Sequence, residues 1–193
     1  MTQRIAKVSS INSGRTNIAA GVKTPIWWGL REFDTDPYAG LYTSGIVVVD
    51  TATGVPRSDG LFYIRDVGVY RFCCQIYYDA WDKVNLNRTD HKNVSDIYDT
   101  GNGASIYLTL DELGNLDAGG VGARGLMMVG NTQAEFGRHP SLAIDTIIQV
   151  MTPGCYYQFN TYYYPVPQEL GFPTSHNLRP EGYYNSAYIE RLD

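Results

Sequence analysis

Leu61–Ala80, LFYIRDVGVYRFCCQIYYDA, is the stretch whose reading decides the fold. Phe62 and Ile64 share one parity before Gly68. Tyr70, Phe72, Cys74 and Ile76 keep it afterwards, with Arg71, Cys73 and Gln75 between them. Successive side chains of a strand point to opposite faces of the pleat, so this alternation marks strands with one face buried. Asp66-Val67-Gly68 interrupts the pattern with a tight turn that glycine makes more easily than a residue carrying a Cβ. The stretch reads as a strand, a turn and a long strand deep in a β-sandwich.

Working outward toward the C-terminus, Ala104–Leu110 alternates Ile106, Leu108 and Leu110 against Tyr107 and Thr109 and reads as a strand, with a turn over residues 111–115. Gly125–Val129 is a short strand. Ser141–Met151 and Tyr156–Tyr164 (YYQFNTYYY) read as a hairpin about Thr152-Pro153-Gly154, and Tyr183–Leu192 as the closing strand. Gly119-Gly120-Val121-Gly122 has no following lysine and no strand-to-helix setting, so it is a connector and not a phosphate cradle. Toward the N-terminus, Ile46–Val49 is a β-branched run ended by the turn cluster at residues 50–54. Thr24–Leu30 opens the folded body. Its neighbouring Trp27 and Trp28 cannot both face one core, so one of them covers an edge or a subunit contact.

At 193 residues the chain suits one domain with its own core. Sixteen tyrosines and twenty glycines fit an all-β domain with many turns. The net charge of −5 argues against generic nucleic-acid binding. That charge is uneven. Of the 15 basic residues five (Arg4, Lys7, Arg15, Lys23, Arg31) fall in residues 1–31 with no acid, so the rest of the chain sets 10 against all 20 acidic residues. Residues 1–23, polar and small, are expected to form a basic arm that orders against a partner, ahead of a sandwich domain over 24–193. Three cysteines, two of them adjacent, make no disulfide framework and suit a reducing cytoplasm during assembly. No run reaches the roughly 18 apolar residues of a membrane-spanning helix, and no signal peptide is read at the start, so no membrane partner is expected.

Catalytic signatures are missing from the residues. His91, His139 and His176 lie in polar or proline-rich segments without metal-ligand spacing, and no Gly-x-Ser-x-Gly elbow occurs. The expectation is a protein without catalysis, cofactor or metal. The acidic stretch 79–103, with Asp79, Asp82, Asp90, Asp96 and Asp99, matches no fixed calcium loop and reads as solvated. Trp81 in that stretch and His176 in the proline-rich stretch 165–182 are the candidate ligand-loop residues, because long loops on a rigid scaffold carry recognition.

Three pieces resemble the trimeric jelly roll shared by tumour necrosis factor and the complement globular heads. GVYRF (Gly68–Phe72) is similar to the family's Gly-x-Tyr-x-Phe at the third strand. SLAIDTIIQV and CYYQFNTYYY flank a Pro-Gly turn as the family's strands flank a Gly-Asp turn, with Cys155 where the aspartate would stand. SAYIERL (Ser186–Leu192) is similar to the terminal strand, with Glu190 at or beside the usual glycine. The resemblance implies an antiparallel two-sheet jelly-roll sandwich that assembles as a homotrimer, with Arg71, Cys73, Gln75 and Tyr188 facing the threefold axis. Versions of this sandwich also occur as virion surface proteins. With the basic arm, this implies a phage capsid decoration (cement) protein on the capsid exterior, assembled in the host cytoplasm. It would dock on the major capsid protein through Arg4, Lys7, Arg15 and Lys23. The alternative is a fibre tip that binds a receptor or a host-surface glycan.

Overall fold

The computed structural model describes residues 4–10, 17–35, 45–78, 102–116, 125–135, 140–165, 175–179 and 185–193. Among the described residues there are twelve strands: β1 (Ile5–Ser9), β2 (Asn17–Ala19), β3 (Thr24–Pro25), β4 (Leu30–Asp34), β5 (Leu61–Ile64), β6 (Gly68–Tyr77), β7 (Asn102–Gly114), β8 (Gly125–Glu135), β9 (Ser141–Val150), β10 (Cys155–Pro165), β11 (Ser175–Asn177) and β12 (Ser186–Arg191). One sheet runs β4-β1-β12-β6-β9 and the other β3-β10-β7-β8, with β5 also on β10; β11 and β2 form a small ribbon. All the pairings are antiparallel. This is a two-sheet jelly-roll sandwich.

The parity read from residues 61–80 holds. Phe62, Ile64, Tyr70, Phe72, Cys74 and Ile76 are all buried, while Arg71 and Gln75 are exposed. The two strands nevertheless belong to different sheets: β5 pairs with β10 and β6 with β12 and β9. The turn at Asp66 therefore carries the chain across the sandwich. Aromatic rings close the gap between the layers. Phe72 of the first sheet lies 5.0 Å from Tyr157 of the second, and within the second sheet Phe62 meets Phe159 edge-on at 5.8 Å.

The expected hairpin of residues 141–164 is also a crossing. β9 pairs with β6 and β10 with β7, so the Thr152-Pro153-Gly154 turn joins the two layers. The burial patterns explain why. β9 alternates exposed and buried residues as the outer strand of its sheet, whereas β10, with strands on both sides, is buried at nearly every position from Cys155 to Tyr163. Residues 111–115, expected to turn, mostly extend β7 to Gly114. A bulge between Leu110 and Asp111 absorbs the irregular pattern that suggested a turn.

The basic arm is corrected most. Ile5–Ser9 is an interior strand, hydrogen-bonded to β12 on one side and β4 on the other, with Ala6 and Val8 buried. Asn17–Ala19 pairs with β11, and Ile18 is in the core. Ala6 and Val8 show the period of two that marks a strand, and the polar neighbours hide it. Asn185 ties this region to the body: its amide donates to Arg179 O (2.7 Å) and Ser10 Oγ (3.2 Å), and its carbonyl accepts from Tyr77 N (2.7 Å).

Candidate functional site

The outer face of the first sheet gathers the four residues expected at a subunit contact. Register places Phe33, Lys7, Tyr188, Cys73 and Asp145 in one row across β4, β1, β12, β6 and β9. A second row holds Ile5, Glu190, Arg71 and Ile147, and Gln75 lies beside Ser186 and Ala143. Tyr188 is half-buried on this face, while its neighbours Ala187 and Ile189 supply the core. The four side chains thus share one surface.

Charge on this face is arranged in pairs. Arg71 grips Asp145 with two hydrogen bonds, Nε at 2.8 Å and Nη2 at 2.5 Å, and the Cys73 thiol donates to the same carboxylate at 3.1 Å. The Arg71 bond, followed by the thiol bond, lowers Asp145 to about 2. Burial, then the neighbouring carboxylate, raises Cys73 to about 11, so this thiol is protonated at neutral pH and a poor nucleophile. Burial and then the Glu190 hydrogen bond raise Tyr188. Lys7 Nζ sits 2.6 Å from Glu32.

The cations expected to dock on a partner are engaged within the body. Arg4 pairs with Asp66, which also lies 3.4 Å from Arg65 and 3.8 Å from Arg191. Burial opposes ionisation of Asp66, but the Arg4 and Arg65 guanidinium groups win and hold its carboxyl below the ordinary range. Lys7 is taken by Glu32, and Lys23 Nζ lies 2.5 Å from the buried Asp111. Arg15 and Trp81 fall outside the described residues. His176 is on β11, opposite Ile18. Of the tryptophan pair, Trp28 packs against Phe62 in the core, and Trp27 stands half-buried beside Asp50, Arg57 and Asp59 at an open cleft.

Two features were not anticipated from the residues. Leu126, Met127, Met128 and Val129 of β8, the last strand of its sheet, are all more than a third exposed, and Ile147 on the neighbouring β9 is 62% exposed. The run LMMV has no alternation, and that was the available signal. The other feature is a pocket of about 250 Å³ on the outer face of the second sheet, lined by Gly21, Lys23, Thr109, Leu126, Tyr162 and Tyr164. Among the described residues, no group of three or more His, Cys, Asp or Glu side chains is placed to hold a metal ion.

No protein-family model matches the sequence, and no curated protein does. Solved structures do match in shape. Murine APRIL at pH 5.0 superposes with a TM-score of 0.52 at 11% identity, over 99% of this chain and 100% of that one. Eiger TNF from S. frugiperda gives 0.51 at 13% identity, over 99% and 93%. The globular domain of zebrafish complement 1qA gives 0.51 at 9% identity, over 98% and 96%. The chain has the fold of the tumour necrosis factor and complement heads. At these identities the likeness is one of architecture, and it agrees with what GVYRF, the two strands about the Pro-Gly turn and SAYIERL implied. Fold alone does not give function.

Proposed function

We propose that this jelly-roll head works without catalysis, as a homotrimeric structural protein of a virion, decorating a phage capsid from outside. The observation that carries the trimer is the exposed apolar band Leu126–Val129 on β8, together with the exposed Ile147 on the outer face that also holds Arg71, Cys73, Gln75 and Tyr188. Monomers rarely leave such a band bare, and a second copy of the chain would cover it. The capsid reading draws on the head architecture and on three cysteines none of which forms a disulfide.

The docking contact needs revision. Arg4, Lys7 and Lys23 are neutralised by Asp66, Glu32 and Asp111, so three charges of the expected arm are unavailable to a shell protein. Deleting residues 1–23 would remove the strand between β4 and β12 and so would unfold the head. The informative variant is Arg15→Glu, read by co-sedimentation with particles lacking the protein and by electron cryomicroscopy. The expected result is trimeric knobs at local threefold positions on the capsid, weakened by the charge reversal. Absence of knobs and of co-sedimentation by the unmodified protein would refute the decoration role. A second reading, a glycan-binding tip, is favoured by the tyrosine-walled pocket.

A further inference from the structure

The pocket between Lys23 and Tyr164 is built on strands, and its parts are held in place. Tyr107 and Tyr162 lie opposite each other on β7 and β10 with their rings stacked, 4.8 Å apart and 8° from parallel. Tyr164 stands across both, 78° to Tyr162 at 5.7 Å and 75° to Tyr107 at 6.1 Å. The residue is 52% exposed, so its side chain is presented at the surface by two neighbours that fix its angle. Beside it, the chain at Gly21 passes close over the ring: Gly21 N donates to Tyr163 O at 2.8 Å, and a Cβ at Gly21 would stand 3.5 Å from Tyr164 Cε1.

The polar side is equally fixed. Asp111 is 2% exposed and accepts from Asn160 Nδ2 at 2.6 Å, from Thr109 Oγ1 at 3.1 Å and from Lys23 Nζ at 2.5 Å. Lys23 is itself 42% exposed, so a buried carboxylate anchors an ammonium group that lines the pocket and stays partly open to solvent. The ion pair leaves the site without net charge, so it does not select an anion. A rigid aromatic face beside fixed donors, in a cavity smaller than the roughly 300–1,000 Å³ typical of drug-sized ligands, suits a ring with one apolar C–H face and a rim of hydroxyls.

We propose that this pocket is a saccharide subsite that takes one pyranose of a neutral glycan, its C–H face on Tyr164 and its hydroxyls on Lys23 and the tyrosine hydroxyls. The inference gives the glycan-binding reading a place on the molecule and is independent of capsid docking, which a separate sedimentation measurement reads. The test is saturation-transfer NMR and titration of the full chain with methyl β-D-galactopyranoside, methyl α-D-mannopyranoside and N-acetyl-D-glucosamine, with sialyllactose as the anionic arm. Saturable millimolar binding of at least one neutral sugar is expected. Tyr164→Ala should weaken it by about tenfold or more, and Tyr164→Phe should retain most of it. If Tyr164→Ala does not fold, Tyr164→Leu makes the same comparison, since leucine covers the wall without an aromatic face. No transfer to any neutral sugar, a response to sialyllactose alone, or unchanged affinity in the Ala or Leu variant would overturn the proposal.

Discussion

Asp145 carries most of the chemistry on the outer face of the first sheet, because one carboxylate serves both Arg71 and Cys73. Its folded value lies below the ordinary 3.8, at about 2. A depressed carboxylate stabilises the fold above its unfolded value, and that contribution is lost as pH falls from about 4 toward 2. The side chain is 55% exposed, so solvent screening keeps the contribution under about 1 kcal/mol. In Arg71→Ala the Asp145 carboxyl should titrate higher by carbon-detected NMR, while the Cys73 thiol bond still holds it below the ordinary range; an unmoved value would show that Arg71 is not the main cause. The same carboxylate bears on Cys73. A thiol at about 11 instead of the ordinary 9.0 holds roughly a hundredfold less thiolate at pH 8. Iodoacetamide should therefore modify Cys73 far more slowly than it modifies a cysteine in a short peptide. Asp145→Asn should speed alkylation several-fold but only part-way, since burial is the larger cause.

At the scale of the element, Gly60 shows how β5 is launched. Its backbone is left-handed, φ +63°, and a Cβ there would come within 2.1 Å of Ile26 O. Gly54 in the preceding turn has φ +69° but open space around it. The pair separates two costs. Gly54→Ala should destabilise by about 1 kcal/mol from conformation alone, and Gly60→Ala by about 3 kcal/mol or more, since the backbone of Ile26 must move as well. Urea midpoints with an unchanged m-value would check this, and equal losses would remove the steric argument. Elements such as β5 and β6 were legible because a half-buried strand writes its faces into alternate residues, as Tyr70 to Ile76 do. Layer membership was not legible. Asp66-Val67-Gly68 and Thr152-Pro153-Gly154 have the composition of hairpin turns, yet each crosses the sandwich, because the partner of a strand is chosen by long-range pairing that local residues do not encode. The N-terminal segment failed for another reason. Its charges looked unpaired in sequence, and their acids (Asp66, Glu32, Asp111) lie 62, 25 and 88 residues away.

For the whole molecule, the question is what covers the apolar band. Among the described residues no strand pairs with the far side of β8, so its LMMV run sets an open edge beside exposed side chains, a combination that natural sheets usually blunt with charge or cover. Ile147 is exposed on β9, a strand in contact with β8, in the same row as Arg71 and Glu190. Three copies related by a threefold axis could set the β8 edge and Ile147 of one copy against the Tyr188 face of the next, burying both without leaving an open edge. Ile147→Lys would place an ammonium group in that contact without disturbing the core, because the side chain is 62% exposed in the single chain. Light scattering after gel filtration should give a trimer for the unmodified protein and a monomer for Ile147→Lys at micromolar concentration, with the far-ultraviolet spectrum unchanged. Val55→Lys, in the turn region between β4 and β5 and 41% exposed, is the matched control and should remain trimeric. The lysine is expected to weaken association by at least about a hundredfold, roughly 3 kcal/mol. A monomeric unmodified protein, or a trimer that tolerates Ile147→Lys as readily as Val55→Lys, would place the subunit contact elsewhere or remove it.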